Sequence, residues 1–403
     1  MNTAIKSTFR SISSSTLLSV LFIILFSTLL TGVLHAQDAT EEISAVSLPV
    51  YYIAADADGI DQVYQQKLGG QNEPRQITTA EEDVLTFGAA YDGLGIAYIS
   101  AGRLWLQSVH TEEAEAVAEV TAERFFSSPV FSQDGNYLAY ADNGVWLMDL
   151  STRETEPILQ DVPVAEDGSN MAEYRLYTPK QFVADPDGSI THLVVDAGVW
   201  EWNTDALYDL STGDVQILGD EEPTQQFHTD ILPLSDGRVL LYGNGGVGGE
   251  PNLHLADSLE DTNTYAEVLD FSTISDATLF ANQAVEIEPG IVRIFGPAAD
   301  PRADVAALTV FWLDVNVNEG TASEVSLLTL TDGSETGSDI AGELSPDGSL
   351  LAVYEDAQFA EAGPIYGRLS VVELATGETS ADTFPETVGI FHFQPQMPEA
   401  LRQ

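Results

Sequence analysis

The sequence predicts an all-β domain built from repeated four-stranded antiparallel sheets, and three observations predict it. Short runs of aromatic and β-branched residues alternate with Asp-Gly and Asn-Gly pairs, which favour the tight turns of β-hairpins. The same order of runs and turns recurs at intervals of 42 to 58 residues. Beyond the amino-terminal apolar segment, no stretch of useful length has the periodicity of an amphipathic helix.

The repeating unit is clearest at 126–153, FSSPVFSQDGNYLAYADNGVWLMDLSTR. Two apolar runs flank the Asp-Gly pair at 134–135, and a third run follows the Asn-Gly pair at 143–144. Both pairs accept the backbone conformations that hairpin turns need. A fourth run at 156–159 completes the unit, which predicts one antiparallel sheet of four short strands.

Two turn motifs recur in a fixed order along the chain. The glycine of the first motif, Asp-Gly with one Pro-Gly variant, stands at positions 93, 135, 188, 237, 290 and 348. The second motif, such as DLST or ELATG, follows the third strand at 149–152, 209–213 and 373–377. Because two phased motifs are much rarer by chance than one, they indicate structural repeats rather than isolated turns.

The motifs FSQDGNYLAYADNGVWLMDLSTR, ELSPDGSLLAVY and RLSVVELATGE resemble the TolB-like family of WD-like repeat β-propellers. The resemblance is closest at 126–160 and 339–384 and loosest over 226–330. It implies a propeller that serves mainly as a binding and interaction scaffold, with no catalytic residue in the repeat itself. Fold alone does not determine function.

The repeats predict a single seven-bladed propeller over 49–396, followed by a tail at 397–403. Six blades is the alternative if 226–330 contains fewer sheets. The first blade lacks an innermost strand, and the run at 388–395 resembles the innermost strands of the other blades. We therefore expect the carboxy-terminal strand to join the amino-terminal blade, which closes the ring and removes an open sheet edge.

The segment 1–36 has the features of a secretory signal peptide. Lys6 and Arg10 precede an apolar run at 17–34 that ends near small residues, and an acidic lead-in follows at 37–48. The run is long for a signal, so an uncleaved membrane anchor is the alternative. We expect a secreted protein, extracellular or periplasmic, that touches a membrane only if this segment is retained.

The composition excludes some partners. The chain has 64 acidic and 14 basic residues, a formal charge of −50, and no cysteine. Its stability therefore owes nothing to disulfide bonds. The charge repels nucleic acid and attracts cations or basic partners, although it also serves solubility in saline surroundings. We expect a monomer that does not bind nucleic acid.

Long connections between the second and third strands distinguish four consecutive repeats. Earlier repeats have minimal connections at 100–102 and 142–144, whereas the later ones span 196–205, 244–251, 296–304 and 355–366. Because all of these join the same pair of strands, we expect them on one face. Long connections on a rigid scaffold are where binding tends to occur.

Four residues of these connections are candidate contacts for a protein, peptide or glycan. Trp200 and Trp202 offer rings that stack on sugars, peptides or cations, unless one of them covers a neighbouring blade. Arg302 is a candidate anion contact in a region poor in basic charge, and pairing with an adjacent aspartate is the alternative. Tyr366 ends the last connection.

A cation site is the one cofactor that the sequence suggests. Asp56, Asp58 and Asp61 alternate around Gly59, a spacing with which oxygen ligands can surround Ca²⁺. The twelve-residue loop with a terminal glutamate is absent, and an ordinary Asp-Gly turn explains the segment equally well. We expect no other cofactor.

No residue is assigned to catalysis from the sequence. Neither a G-x-S-x-G nor an H-E-x-x-H motif occurs, and the histidines are scattered. His228 and His392 fall on predicted innermost strands, where a structural role is expected. The favoured function is a non-catalytic propeller that binds a partner. The alternative is an extracellular hydrolase or lyase of polysaccharide or peptide, with carboxylates in its central channel.

Overall fold

The computed structural model describes residues 48–69, 73–121, 127–165, 174–185, 188–198, 205–218, 230–243, 252–260, 262, 265–299, 309–329, 342–354, 358–359 and 365–396. These residues are almost entirely strands and turns, with one short 3₁₀ helix at Phe271–Thr273. The all-β prediction is confirmed. Among the described residues, no helix has the length and apolar character needed to cross a membrane. The predicted signal segment 1–36, most of the lead-in and the tail at 397–403 lie outside this part.

The strands are short and follow one another closely. In chain order they are β1 (Pro49–Ala55), β2 (Asp61–Lys67), β3 (Arg75–Gln76), β4 (Val84–Ala89), β5 (Gly95–Ser100), β6 (Arg103–Ser108), β7 (Ala114–Glu119), β8 (Val130–Phe131), β9 (Tyr137–Ala141), β10 (Gly144–Asp149), β11 (Thr155–Gln160), β12 (Leu176–Ala184), β13 (Ile190–Gly198), β14 (Asp205–Asp209), β15 (Val215–Ile217), β16 (Asp230–Pro233), β17 (Val239–Tyr242), β18 (Asn252–Ala256), β19 (Tyr265–Asp270), β20 (Thr278–Leu279), β21 (Gln283–Glu288), β22 (Ile291–Ala299), β23 (Thr309–Asn316), β24 (Thr321–Ala322), β25 (Ser326–Thr329), β26 (Gly342–Leu344), β27 (Leu350–Tyr354), β28 (Gln358–Phe359), β29 (Ile365–Glu373), β30 (Glu378–Thr379) and β31 (Glu386–Phe393).

Within the described residues, these strands form six antiparallel sheets. Four sheets contain four strands in sequence order: β4 to β7, β8 to β11, β12 to β15 and β16 to β19. A six-stranded sheet contains β20 to β25, and a nine-stranded sheet joins β26 to β30 with β31 and β1 to β3. The nine strands are continuous because β29 pairs with β27 at one end and with β31 at the other.

The Asp-Gly turns are held by a repeated set of side-chain hydrogen bonds. In the turn after β8, the Ser132 hydroxyl donates to Asp134 Oδ1 at 2.6 Å, and Gly135 takes a φ of 73°. The turn after β26 has the same arrangement, with Ser345 donating to Asp347 at 2.6 Å. Positive φ is a conformation that glycine adopts without steric cost. The repeated sequence motif therefore marks a repeated turn.

The second motif caps the hairpin after the third strand. Asp149 Oδ1 accepts hydrogen bonds from the Ser151 amide at 2.8 Å, the Ser151 hydroxyl at 2.6 Å and the Thr152 amide at 2.9 Å. Asp209 accepts the corresponding three bonds in the sheet of β12 to β15. These bonds stabilise the carboxylate, which lowers the pKa of Asp149 and brings that of Asp209 to about 2.

The carboxy-terminal strand β31 pairs with β1. Val50 faces Phe393 in this ladder, and the Gln394 amide donates to the Pro49 carbonyl at 2.9 Å. The Tyr51 hydroxyl adds a bond to Gln394 Oε1 at 2.8 Å. The two ends of the described chain therefore share one sheet.

The buried apolar clusters join sheets that follow one another in the chain. Tyr51 of β1 and Phe87 of β4 share one cluster, and Leu104 of β6 and Leu138 of β9 share the next. A further cluster lies within the nine-stranded sheet, where Tyr354 of β27 packs with residues of β1 and β31. Since each sheet buries a face against its neighbour, the core is divided among the sheet-to-sheet contacts.

Replacing Phe393 by alanine tests the docking of β31. Phe393 is 1 % exposed, so Phe393→Ala leaves a cavity and is expected to lower the free energy of unfolding by about 3–5 kcal/mol. Chemical denaturation followed by tryptophan fluorescence measures this loss. The control is Leu94→Ala at a 52 % exposed position, expected to change stability by less than about 0.5 kcal/mol. Equal stabilities of the two variants would contradict a docked carboxy-terminal strand.

Candidate functional site

The connections between second and third strands differ sharply in length. Two residues separate β5 from β6 and β9 from β10, whereas much longer segments separate β13 from β14, β17 from β18, β22 from β23 and β27 from β29. Most residues of these longer segments lie outside the described part of the chain. The contrast between short and long connections agrees with the sequence, but their bounds differ, because β13 extends to Gly198, β22 extends to Ala299 and β29 begins at Ile365.

The structure describes one of the four residues predicted to contact a partner. Trp200, Trp202 and Arg302 lie outside the described residues. Tyr366 does not end a loop but lies within β29, where it faces Gln358 of β28 and Val388 of β31. The difference arises because β28 and β31 extend the sheet on both sides of this residue. The binding roles of all four remain predictions.

The predicted cation loop joins β1 to β2. Asp56 Oδ1 accepts the amide N–H groups of Asp58 at 2.8 Å and Ile60 at 3.1 Å, so this carboxylate closes the turn. Burial, together with Asp83 and Asp56, raises the pKa of Asp61. Among the described residues, no group of three acidic, histidine or cysteine side chains has the geometry of a metal site. The Ca²⁺ site stays a prediction.

A partly buried ion-pair cluster lies at the end of the long connection between β13 and β14 and at the start of β16. The Lys180 ammonium group is 3.1 Å from Asp205 Oδ1 and also contacts Asp230. Asp205 opens β14 and Asp230 opens β16, so the lysine of β12 links two sheets. The adjacent Gln181 amide donates to the Ile231 carbonyl at 3.0 Å and strengthens the link.

Burial and the attraction between opposite charges shift the pKa values of this cluster in opposite directions. Burial alone would lower the pKa of Lys180, but Asp205 and Asp230 outweigh it and raise that pKa above its usual value. Burial raises the pKa of Asp205 well above its usual value, although Lys180 opposes the shift. A lysine held so firmly in its protonated form serves as a clamp and not as a nucleophile. The scarcity of lysine, three in the chain, was the only sequence signal for it.

A second polar group, Ser128 with His392 and Glu343, joins two strands of the nine-stranded sheet to the segment that precedes β8. His392 of β31 places Nδ1 2.8 Å from Glu343 Oε2 of β26 and Nε2 3.1 Å from the hydroxyl oxygen of Ser128, which precedes β8. The other oxygen of Glu343 accepts the Phe393 amide at 3.0 Å. The imidazole therefore lies between a fixed carboxylate and a hydroxyl.

This group is partly open to solvent. The side chains of His392 and Glu343 are 30 % and 23 % exposed, and Ser128 is half-buried. The Phe87 ring lies edge-on to the imidazole, with 5.4 Å between ring centroids. The sequence pointed to His392 only as a structural histidine. Ser128 and Glu343 were missed because they lie 264 and 49 positions from it and form no local motif.

Comparisons with known proteins show the class of fold. No protein-family model and no curated protein matches the chain. Among solved structures, TolB from Acinetobacter baumannii is 16% identical, with a TM-score of 0.46, over 87% of this chain and 67% of that one. An oligogalacturonate lyase from Vibrio parahaemolyticus is 14% identical, with a TM-score of 0.50, over 82% of this chain and 83% of that one. An oligogalacturonate lyase in complex with manganese is 15% identical, with a TM-score of 0.48, over 82% of each chain.

These similarities concern the fold alone, because the identities are low. The match with a TM-score of 0.50 is to a TolB-like β-propeller, so the resemblance seen in the sequence is confirmed at the level of fold. One neighbour is a TolB protein and two are lyase structures. Fold alone does not decide between the two functions expected from the sequence.

Lys180→Met is expected to destabilise the protein by about 3 kcal/mol at pH 7, because it leaves two carboxylates close together without their cation. The carboxyl of Asp205 already has a raised pKa in the folded state. The folded state therefore binds its proton more tightly than the unfolded state, and stability is gained as the pH falls through the raised pKa. The difference in the free energy of unfolding between the wild type and the variant should accordingly become smaller at acid pH. Urea denaturation at pH 7 and at acid pH measures both effects.

The matched control is Lys67→Met, because Lys67 is exposed at the end of β2. It removes the same charge from a highly acidic protein without breaking this cluster, so it should cost less than about 0.5 kcal/mol. The proposed role of Lys180 would be contradicted if Lys180→Met lost no more stability than Lys67→Met. It would also be contradicted if the loss did not change with pH.

Proposed function

We propose that the chain is a seven-bladed propeller, closed by its own ends, that binds a protein, peptide or glycan partner through one face outside the cell or in the periplasm. The six sheets correspond to seven blades if the nine-stranded sheet is counted as two. The division falls within β29, between its pairing with β27 and its pairing with β31. One half, β26, β27, β29 and β30, is then the seventh blade. The other half, β31 with β1 to β3, is the first blade.

Contacts between the first strands of these blades support a closed ring. Going round, the contacting pairs are β31 with β4, β4 with β8, β8 with β12, β16 with β21, β21 with β26, and β26 with β31. The Lys180–Asp230 ion pair and the Gln181 hydrogen bond link β12 with β16. The series returns to its starting strand, as a ring of seven blades requires.

The observation that carries the binding proposal is the grouping of the long connections. In blades of equivalent orientation, every connection between second and third strands emerges on the same face. This connection is long in four consecutive blades, whereas it has only two residues in two earlier blades. Trp200, Trp202 and Arg302 belong to these segments. The Asp56 turn, and any Ca²⁺ that it holds, belongs to the same face.

The charge of the chain favours a partner with a basic surface. Several basic side chains are already engaged within the fold. Arg293 makes two hydrogen bonds to Asp314, at 2.6 and 2.8 Å, and Arg238 pairs with Asp236. A partner therefore meets a strongly acidic surface, so its association should be fast at low salt and slower at high salt.

Capture experiments test the binding face. Wild-type protein immobilised on resin is incubated with the extracellular fraction of its native cells, and affinity for the retained partner is then measured. Trp200→Ala/Trp202→Ala should weaken binding about 30-fold, because buried aromatic contacts at interfaces contribute about 2 kcal/mol or more. Raising the salt concentration should weaken binding further.

The control is Val215→Ala/Ile217→Ala in the outer strand β15, where these residues are 40% and 37% exposed. It removes exposed apolar surface away from the long connections and should leave affinity unchanged. An unchanged affinity for the tryptophan variant, or an equal loss in the control, would contradict the proposed face.

A further inference from the structure

We propose that Ser128, His392 and Glu343 form a nucleophilic site that hydrolyses carboxylic esters carrying neutral or cationic groups. This activity goes beyond partner binding and uses none of the residues assigned to the binding face. The charge preference follows from the chain's formal charge of −50, which disfavours the approach of anions.

The first step of the argument is the relation between the hydroxyl and the base. A serine hydroxyl is a weak nucleophile unless a base within hydrogen-bond reach accepts its proton. The distance of 3.1 Å from Ser128 Oγ to His392 Nε2 meets that requirement. Because Glu343 lies 2.8 Å from Nδ1, the tautomer with hydrogen on Nδ1 donates to the carboxylate. Nε2 then presents its lone pair to the hydroxyl of Ser128.

The second step is the rigidity of the base. Glu343 accepts Nδ1–H through one oxygen and the Phe393 amide, at 3.0 Å, through the other. A carboxylate held in this way orients the imidazole and stabilises the imidazolium that forms in the reaction. The edge of the Phe87 ring restricts the imidazole further.

The third step is the placement of the nucleophile. Gly88 of β4 lies so close to the segment after Ser128 that an added Cβ would be 1.8 Å from the Pro129 carbonyl oxygen. This approach fixes the backbone next to the hydroxyl. Ser128 and His392 remain partly exposed, so a small ester can reach them.

The reaction needs no reactant besides the ester and water. Ser128 Oγ forms a bond to the carbonyl carbon while His392 Nε2 takes its proton, and the ester C–O bond then breaks. The alcohol leaves with the proton from His392. Water attacks the acyl-serine and gives a proton to His392, which returns it to Ser128 as the carboxylic acid departs.

A fluorophosphonate reagent and p-nitrophenyl acetate are the probes. The wild type should release p-nitrophenolate, and mass spectrometry should find the phosphonyl adduct, formed with loss of fluoride, on Ser128. Ser128→Ala should abolish both. The control Ser127→Ala changes the buried neighbouring serine and should retain both ester hydrolysis and the phosphonyl adduct. Thermal melting confirms that each variant is folded.

Glu343→Gln tests the positioning role. It should slow ester hydrolysis by about 10²–10⁴-fold, as expected when the group that orients the base is neutralised, and Glu343→Asp should restore part of the rate. The downfield proton resonance of His392 Nδ1–H should be lost in Glu343→Gln. A folded wild type without an adduct on Ser128, or a Glu343→Gln variant with an unchanged rate, would overturn the proposal. Partner capture by Ser128→Ala is expected to be unchanged, so the two functions can fail separately.

Discussion

The pairing of β31 with β1 is the interaction on which the rest of the structure depends. It joins residues as far apart in sequence as Tyr51 and Gln394, which are 343 positions apart. The entropic cost of closing a long loop grows only slowly with its length, by about 0.6 kcal/mol per doubling. A short ladder with the buried rings of Phe391 and Phe393 can offset that cost. Since β31 also pairs with β29, one strand joins β1 near the beginning of the fold to β29 near its end.

The candidate catalytic group depends on the same pairing. His392 lies in β31 opposite Tyr51, and only the docked strand brings its imidazole between Glu343 and Ser128. The Phe393 amide, which fixes the Glu343 carboxylate, belongs to this strand as well. Folding of the chain ends and assembly of the site are therefore one event. The proposed binding face, by contrast, depends on connections between strands within single sheets.

Local patterns in the sequence were sufficient for the repeated turns and for most of the strands. The Ser-x-Asp-Gly and Asp-Leu-Ser-Thr motifs use hydrogen bonds between residues two to five positions apart, so their sequence spacing reports the turn directly. The site could not be predicted in this way, because Ser128, Glu343 and Lys180 have partners that lie 25 to 264 positions away in the sequence. Tyr366 was assigned to a loop for a related reason. Its strand exists because β28 and β31 pair on either side of it, and neither pairing leaves a local pattern.

Native-state hydrogen exchange of the β31 amides tests the central claim most directly. The amides of Phe391 and Phe393 should be protected to the same degree as those of Leu138 and Tyr140 in β9, because a strand that joins the chain ends can open only with the whole fold. Exchange of the β31 amides at the rate of an unstructured peptide, while β9 stays protected, would contradict the account. The chain ends would then be separate in solution, and His392 would have no fixed position beside Glu343.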